Sequence, residues 1–191
     1  MKILKYKLTG SCPLMMHADT TVNPFHAITK EIKKLTSKRS KTEEDMLEIM
    51  KLEWRASLYF NERLGYYIPS NNIFATLWNA AKTKKFGVKF KQGIVITEDS
   101  KMIFTDSNLT PSQLFLKSEY QDIRSVVINR ARICKCRPIF PEWTINVSLM
   151  VDESIIDEDQ LDEILNIGGN YIGVCDYRPK FGRFNVEKII L

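Results

Sequence analysis

The sequence has 191 residues, of which 44% are hydrophobic and 27% are charged, and its formal net charge is +5. These fractions predict a folded chain with a real core, organised as one large domain or as a domain with a sizeable insertion. No apolar run approaches the roughly 20 residues that a membrane-spanning helix needs. Residues 1–7 alternate instead of forming the apolar block of a signal peptide, so we expect a cytoplasmic protein without a membrane partner.

The charge is unevenly distributed. Residues 152–163 carry seven acidic residues and no basic residue, which leaves 28 basic against 16 acidic residues elsewhere. Three basic clusters, at residues 30–41, 82–91 and 124–137, hold much of this excess. Separated basic clusters are typical of a groove that follows a phosphate backbone, although three solvated faces would give the same pattern.

The four cysteines do not predict a metal site. Cys12, Cys134, Cys136 and Cys175 match no zinc-binding spacing, because a single C-x-C pair lacks its second pair. We expect buried or half-buried thiols in a reducing compartment, and neither a metal nor a cofactor.

The first half of the chain predicts a strand followed by helices. Residues 2–9 alternate apolar and basic side chains, which indicates a strand. Residues 25–37 and 41–64 have helical apolar spacing, and Ser40 with Glu43 resembles a capping box for the second helix. A turn at residues 66–72 then leads into a helix at residues 72–83. The pair of helices at about 25–64 is predicted to be an insertion after the first strand.

The second half predicts the remaining core. Short strands are expected at residues 93–96 and 102–104, then turns over 106–122, an extended segment over 122–140, and a regular strand over 143–151. Asp157 or Asp159 is expected to cap an acidic helix that ends at Gly168 and Gly169, and residues 184–191 form the last strand. This order predicts an α+β fold with a ferredoxin-like (RRM-like) βαββαβ core.

A glycine-rich segment lies between the last helix and the last strand. Its glycines allow positive φ and close backbone approach, and its cations and flat rings suit phosphates and splayed bases. The candidate nucleic-acid-binding residues are Tyr177, Arg178, Lys180, Phe181 and Arg183, with Arg130, Arg132 and Arg137 expected in the same groove, and the loop glycines are Gly168, Gly169, Gly173 and Gly182. A surface hairpin with solvated basic residues is the alternative reading.

These residues resemble those of the RAMP superfamily, the RNA-binding proteins of CRISPR systems. Gly173 and the run Gly182-Arg183-Phe184 match the outline of the family's glycine-rich loop, and residues 66–73 resemble a turn that opens a helix in CRISPR backbone subunits. Residues 129–138, and the stretch from Trp143 to the loop, are similar to small RAMP-like proteins of phages and prophages. The resemblance implies a single RAMP-like domain over residues 1–191 that binds single-stranded RNA or DNA. It also implies other CRISPR subunits, or further copies of the chain in an oligomer or filament, as partners.

Two other functions remain open at this stage. One is a protein-interaction module that mimics a CRISPR subunit and inhibits a host complex, with the acidic segment as its docking face. The other is a metal-independent ribonuclease, for which His26 is the weak candidate base and Lys30, one helical turn on, the candidate cation. No Ser/His/Asp set, P-loop or Rossmann fingerprint is visible. The sequence therefore favours a non-catalytic nucleic-acid-binding protein.

Overall fold

The computed structural model of the chain describes residues 1–128 and 131–190, and the backbone forms two compact units. Unit 1 comprises Met1–Leu14, Phe60–Ser107 and Pro141–Leu191. Unit 2 comprises Met15–Tyr59 and Asn108–Phe140. Each unit is therefore assembled from separate stretches of the chain.

The secondary structure is mixed. The α-helices are α1 (Ala27–Thr36), α2 (Glu43–Ala56), α3 (Ser70–Thr83), α4 (Gly87–Gly93), α5 (Pro111–Phe115) and α6 (Glu158–Ile167). The strands are β1 (Lys2–Gly10), β2 (Leu14–Met15), β3 (Phe60–Asn61), β4 (Gly65–Ile68), β5 (Ile94–Ile96), β6 (Ser100–Ile103), β7 (Gln121–Ile128), β8 (Ala131–Phe140), β9 (Thr144–Val151) and β10 (Phe184–Ile189). No helix in the described ranges combines the length and the apolar character that crossing a membrane requires.

Unit 1 contains a sheet in the order β10-β1-β9-β6-β4-β3, in which β5 also pairs with β9. The pairs that β1 makes with β10 and β9, and that β9 makes with β5 and β6, are antiparallel. With α3 after the first strand and α6 before the last, this is the βαββαβ arrangement. The predicted α+β, ferredoxin-like fold is confirmed.

The core of unit 1 follows from alternation along the strands. Leu4, Tyr6 and Leu8 of β1 are buried, whereas Ile3 and Lys7 are exposed. The helices contribute apolar faces to this unit through Ile73, Leu77, Ala80 and Ala81 of α3 and Leu161, Ile164 and Leu165 of α6. The Tyr6 hydroxyl donates to Asp162 over 2.6 Å, and burial, followed by this hydrogen bond, raises the pKa of Tyr6.

α6 ends at Ile167 with Gly168 as its C-cap residue, as predicted, but the backbone does not take the left-handed turn that is usual after a glycine cap. The helical path of the chain does not end at Gly168 and Gly169. The backbone at Gly168 stays helical (φ −55°) and continues into a π turn over residues 168–172. The chain leaves this turn at Gly173 (φ +79°), whose N–H donates to Gly168 O over 2.8 Å. Gly169 has a packing role instead, since a Cβ there would lie 2.1 Å from Phe184 O.

Unit 2 contains α1, α2, α5 and a sheet in the order β2-β8-β7. Trp54 of α2 is buried and donates from Nε1 to Tyr120 O over 2.8 Å. Its ring meets the edge of Phe115, with centroids 5.5 Å apart. Glu53 of α2 forms an ion pair with Lys135 of β8, so two neighbouring residues fasten this helix to the rest of the unit.

Two predictions were wrong in this unit, and a third was incomplete. The capping box of α2 is formed by Thr42 and Asp45, and not by Ser40 and Glu43. The helix ends at Ala56, because Ser57 and Leu58 are buried in a non-helical stretch. The extended segment over residues 122–140 is two antiparallel strands, β7 and β8. The division into a single domain with an insertion at residues 25–64 stays a prediction.

We expect Gly169→Ala to lower the free energy of unfolding by about 2 kcal/mol, because the added methyl group would collide with the backbone of β10. Urea unfolding measures this change. Gly87→Ala is the matched control: its Cβ would come within 2.8 Å of Lys82 Cγ, which belongs to an exposed, flexible side chain. The control should lose clearly less stability than Gly169→Ala, because the lysine side chain can rotate away whereas the backbone of β10 cannot. Equal losses in both variants would contradict the packing role of Gly169.

Candidate nucleic-acid interface

The candidate site in unit 1 is the glycine loop, which we define as residues 173–183. Gly173 and Gly182 both have positive φ, +79° and +75°, and Val174 N–H donates to Gly182 O over 2.8 Å. A Cβ at Gly182 would lie 2.0 Å from Val174 O. The two glycines therefore let the ends of the loop meet at a distance that no other residue type allows.

Backbone hydrogen bonds attach the loop to the segment that follows β1. Gly182 N–H donates to Pro13 O over 2.9 Å, and Ser11 N–H donates to Arg183 O over 2.9 Å. The Cys12 thiol lies between them, accepting from Arg183 N–H at 3.2 Å and reaching Lys180 O at 3.6 Å. One side of the loop is thus held by main-chain groups.

Helix α3 holds the other side. The Thr76 hydroxyl is buried, 2.9 Å from Gly173 O and 3.4 Å from Arg178 Nη1. One turn earlier, Asn72 Nδ2 lies 3.7 Å from Cys175 Sγ. Cys175 as a residue is half-buried, but burial of its sulfur raises the pKa of the thiol to about 12. The sequence reading missed Asn72 and Thr76, although their spacing of four residues places them on one helix face.

The tip of the loop presents cations and one accessible ring. Arg178, Lys180 and Arg183 are exposed. Tyr177 is 47% exposed, whereas Phe181 is only 9% exposed, and their ring centroids lie 5.7 Å apart. Lys180 Nζ lies 6.0 Å and 5.6 Å from these two rings. Tyr177 is therefore the ring that a base can reach, with Phe181 packed behind it.

Two of the three arginines predicted for the same groove belong to unit 2 and not to unit 1. Arg132 is exposed and Arg137 is half-buried, and both lie on β8 in unit 2. Arg137 lines a cavity of about 280 Å³ in that unit, together with Glu53, Lys135 and Ser57. Arg130 lies outside the described residues. A shared groove of these arginines with the glycine loop stays a prediction.

The candidate catalytic residue His26 is exposed and stands at the N-cap of α1 in unit 2, where its side chain makes no capping hydrogen bond. Lys30 is also exposed, and its N–H donates to His26 O over 3.1 Å. In the described part of the chain, no three His, Cys, Asp or Glu side chains converge as a metal site would require.

The acidic segment over residues 152–163 is used within unit 1. Asp157 caps α6 by accepting from Gln160 N–H over 2.8 Å. The carboxylates of this segment also form ion pairs: Lys2 with Glu153 and Glu158, Lys188 with Glu158, and Lys84 with Glu163. Hydrogen bonds from Ser154 lower the pKa of Asp152, the largest contribution coming from the serine side chain.

Neither a protein-family model nor a curated protein matches the sequence. Among solved structures, the chain is similar to a chain of a complex described as "Cryo-EM structure of the Type III-B Cmr-beta bound to cognate target RNA", with a TM-score of 0.56 and 10% sequence identity. The match covers 98% of this chain and 61% of that chain, so this protein spans about three fifths of its neighbour's length. At this identity the similarity shows a common fold, which agrees with the RAMP-like resemblance of the sequence.

The thiols of Cys136 and Cys175 should resist alkylation. Burial raises the pKa of Cys175 and of Cys136 to about 12, so at pH 8 roughly one thiol in 10⁴ is the reactive thiolate. We expect iodoacetamide to modify the exposed Cys134 at least about a hundredfold faster than either, as measured by mass spectrometry of time points. In urea all three should react at similar rates. Equal rates for Cys175 and Cys134 in the native protein would contradict a closed glycine loop.

Proposed function

We propose that the protein binds single-stranded nucleic acid, RNA above all, without cleaving it, and that the glycine loop of unit 1 makes the main contact. The observation that carries this proposal is the exposure of Arg178, Lys180 and Arg183 on a loop whose backbone is hydrogen-bonded on both sides. A loop held in this way loses little conformational freedom when a strand binds.

The cations keep donors for phosphate groups. Arg178 uses one guanidinium nitrogen at 3.4 Å from Thr76, and Arg183 uses Nε at 2.8 Å from Pro179 O. A guanidinium carries further N–H groups that fit two phosphate oxygens at once. Lys180, which lies between the two arginines in the sequence, adds a third positive charge. Together the three side chains suit a backbone that passes over the loop, irrespective of its base sequence.

The ring of Tyr177 suits an unpaired base. Stacking on aromatic side chains is the usual way in which single strands are held, since every base has a flat face. The half-exposed Tyr177 offers such a surface, and Phe181 supports it from within unit 1. Single-stranded nucleic acid therefore fits the loop better than a duplex, whose bases are stacked on each other.

The relationship to RAMP proteins supports the choice of RNA. The sequence resembles that superfamily, and a chain of a complex bound to target RNA shares the fold. On this basis we propose that unit 1 is a RAMP-type domain with unit 2 as its insertion. We further propose that the protein acts beside subunits of a CRISPR-type complex or other copies of itself, in the cytoplasm of a bacterial host if it is encoded by a phage.

The two alternatives receive less support. A docking face made of the acidic segment is disfavoured because Glu153, Glu158 and Glu163 are engaged with lysines of the same unit. A ribonuclease centred on His26 would need a second group beside the imidazole, and Lys30 is the only one that the sequence suggests. Both functions stay hypotheses.

The triple variant Arg178→Gln, Lys180→Gln and Arg183→Gln should bind a 20-nucleotide RNA at least about tenfold more weakly than the wild type. The slope of log K against log salt should become shallower by about 2, because each lost phosphate contact with a single strand removes about 0.7. Fluorescence anisotropy across a salt series measures both quantities.

Two controls accompany this variant. Lys89→Gln removes an exposed lysine from α4 of the same unit and should leave the slope nearly unchanged. Protection of Cys175 from alkylation in the triple variant shows that the loop is still closed. Wild-type affinity at every salt concentration in such a folded variant would refute the assignment, and cleavage of the RNA would revive the ribonuclease hypothesis.

Tyr177→Ala should weaken RNA binding by about 1–2 kcal/mol, whereas Tyr177→Phe should keep wild-type affinity, because stacking needs the ring and not the hydroxyl. Both substitutions retain the residue's positive φ of +57° with a non-glycine side chain, so backbone strain is similar in the pair. Anisotropy with a poly-pyrimidine RNA at fixed salt measures the difference. Equal loss in both variants would contradict a stacking role for Tyr177.

A further inference from the structure

A second electropositive site lies at the other end of α3, in the basic cluster that strand binding by the glycine loop does not use. After α3 the chain turns at residues 84–86, where Lys85 has a positive φ of +63°, and enters α4. Phe90 of α4 is buried, with its ring centroid 5.3 Å from that of Phe74 of α3. The two helices are thus packed together, and their lysine-rich ends surround a common hollow.

This hollow is a cavity of about 470 Å³, within the range of sites for small molecules. Trp78, Gly87 and Val88 supply apolar surface, and Val88 is 70% exposed. A Cβ at Gly87 would lie 3.5 Å from Trp78 Nε1 and 2.8 Å from Lys82 Cγ, so the missing side chain keeps this wall of the cavity open.

Three lysines, Lys82, Lys85 and Lys91, line the same cavity. Lys82 Nζ lies 4.1 Å and Lys91 Nζ 3.9 Å from the centroid of the Trp78 ring. Both ammonium groups therefore lie beside the same ring, and each lysine has N–H donors that a phosphate oxygen can accept.

These charges lack acidic neighbours in the cavity. Over residues 1–128 and 131–190, no Asp or Glu lines it, and no ion pair involves any of its three lysines. Lys84, next to the cavity, is instead paired with Glu163 of α6. Like charges that are gathered around an aromatic ring, without carboxylates, favour an anionic ligand.

We propose that this cavity binds a nucleotide phosphate: Lys82 and Lys91 contact the phosphate group, and the base or sugar packs against Trp78 and Val88. The ligand is either a free nucleotide or the phosphorylated end of an oligonucleotide, which share this chemistry. A bare phosphate ion would leave the apolar wall unused, and a purely apolar ligand would leave three ammonium groups buried against it.

The site is separate from the glycine loop. Asn72 and Thr76 contact the loop from the beginning of α3, whereas Lys82 lies about 15 Å further along the helix axis than Asn72. Trp78 follows the buried Thr76 by two residues and so points to another side of the helix. The proposal therefore does not depend on strand binding by the loop.

The fluorescence of Trp78 provides the test. Trp54 and Trp143 are buried, so the half-buried Trp78 is the tryptophan that a ligand in the cavity reaches. AMP, and separately a 5′-phosphorylated and a 5′-hydroxyl oligonucleotide, are titrated into the full chain. We expect saturable quenching by AMP or by the phosphorylated oligonucleotide, and no such quenching in Trp78→Phe.

Variants identify the contacts. Lys82→Gln with Lys91→Gln should weaken binding of the quenching ligand at least about tenfold, because charge-assisted hydrogen bonds to phosphate are lost. Lys89→Gln is the matched control, since Lys89 is exposed on α4 and does not line the cavity, and it should bind as the wild type does. All three lysine side chains are exposed, so their replacement should leave the fold intact, which circular dichroism verifies.

Each outcome decides the proposal. Quenching by AMP supports a free nucleotide as ligand, and quenching by the phosphorylated oligonucleotide alone supports a strand end. The proposal is overturned if neither ligand quenches Trp78, if inorganic phosphate binds as tightly as AMP, or if the double variant binds normally. The triple variant of the glycine loop should still bind AMP, so a failure of strand binding and a failure of this site are distinguishable.

Discussion

The contact between Gly169 and the carbonyl group of Phe184 sets the geometry of the candidate interface. It lets the π turn after α6 lie directly on the first residue of β10, with no side chain between them. The ends of the glycine loop are thereby brought together, and Gly173 and Gly182 complete the closure. The positions of the exposed cations therefore depend on backbone packing in unit 1 and not on their own interactions.

The elements of the ferredoxin-like core could be predicted because each has one face in a core. Alternation in β1 and β9 and the apolar spacing of α3 and α6 gave nearly correct bounds. The elements of unit 2 were harder to predict, since the residues at which they begin and end depend on tertiary contacts. Leu58 continues the helical spacing of α2, yet it is buried beyond the helix end. Nor do residues 122–137 contain a glycine or proline that would divide the predicted extended segment into two strands.

The candidate site was predicted in its chemistry but not in its geometry. The types and spacing of residues 173–183 indicated phosphates and bases, because glycines, cations and rings are combined there. Periodicity could not tell that Tyr177 is accessible while Phe181 is buried, since a loop has no regular period. It also could not assign Arg132 and Arg137 to unit 2, because that assignment follows from how distant strands pair. The cavity beside Trp78 could not be predicted either, because it depends on how two helices pack. In the sequence, its lysines fit the C-terminal end of a helix, where positive charges complement the helix dipole.

The order of strands in unit 1 also constrains when the protein can fold. β1 is synthesised well before β9 and β10, yet it pairs with both, and Lys5 lies opposite Ile189. A ribosome therefore exposes the apolar face of β1 long before either partner exists. The stretches of unit 2 are complete once Phe140 has been made, so that unit can fold earlier. Such non-local pairing makes folding slow. The lysines that alternate with the apolar residues of β1 help to keep the unpaired strand from associating with other chains.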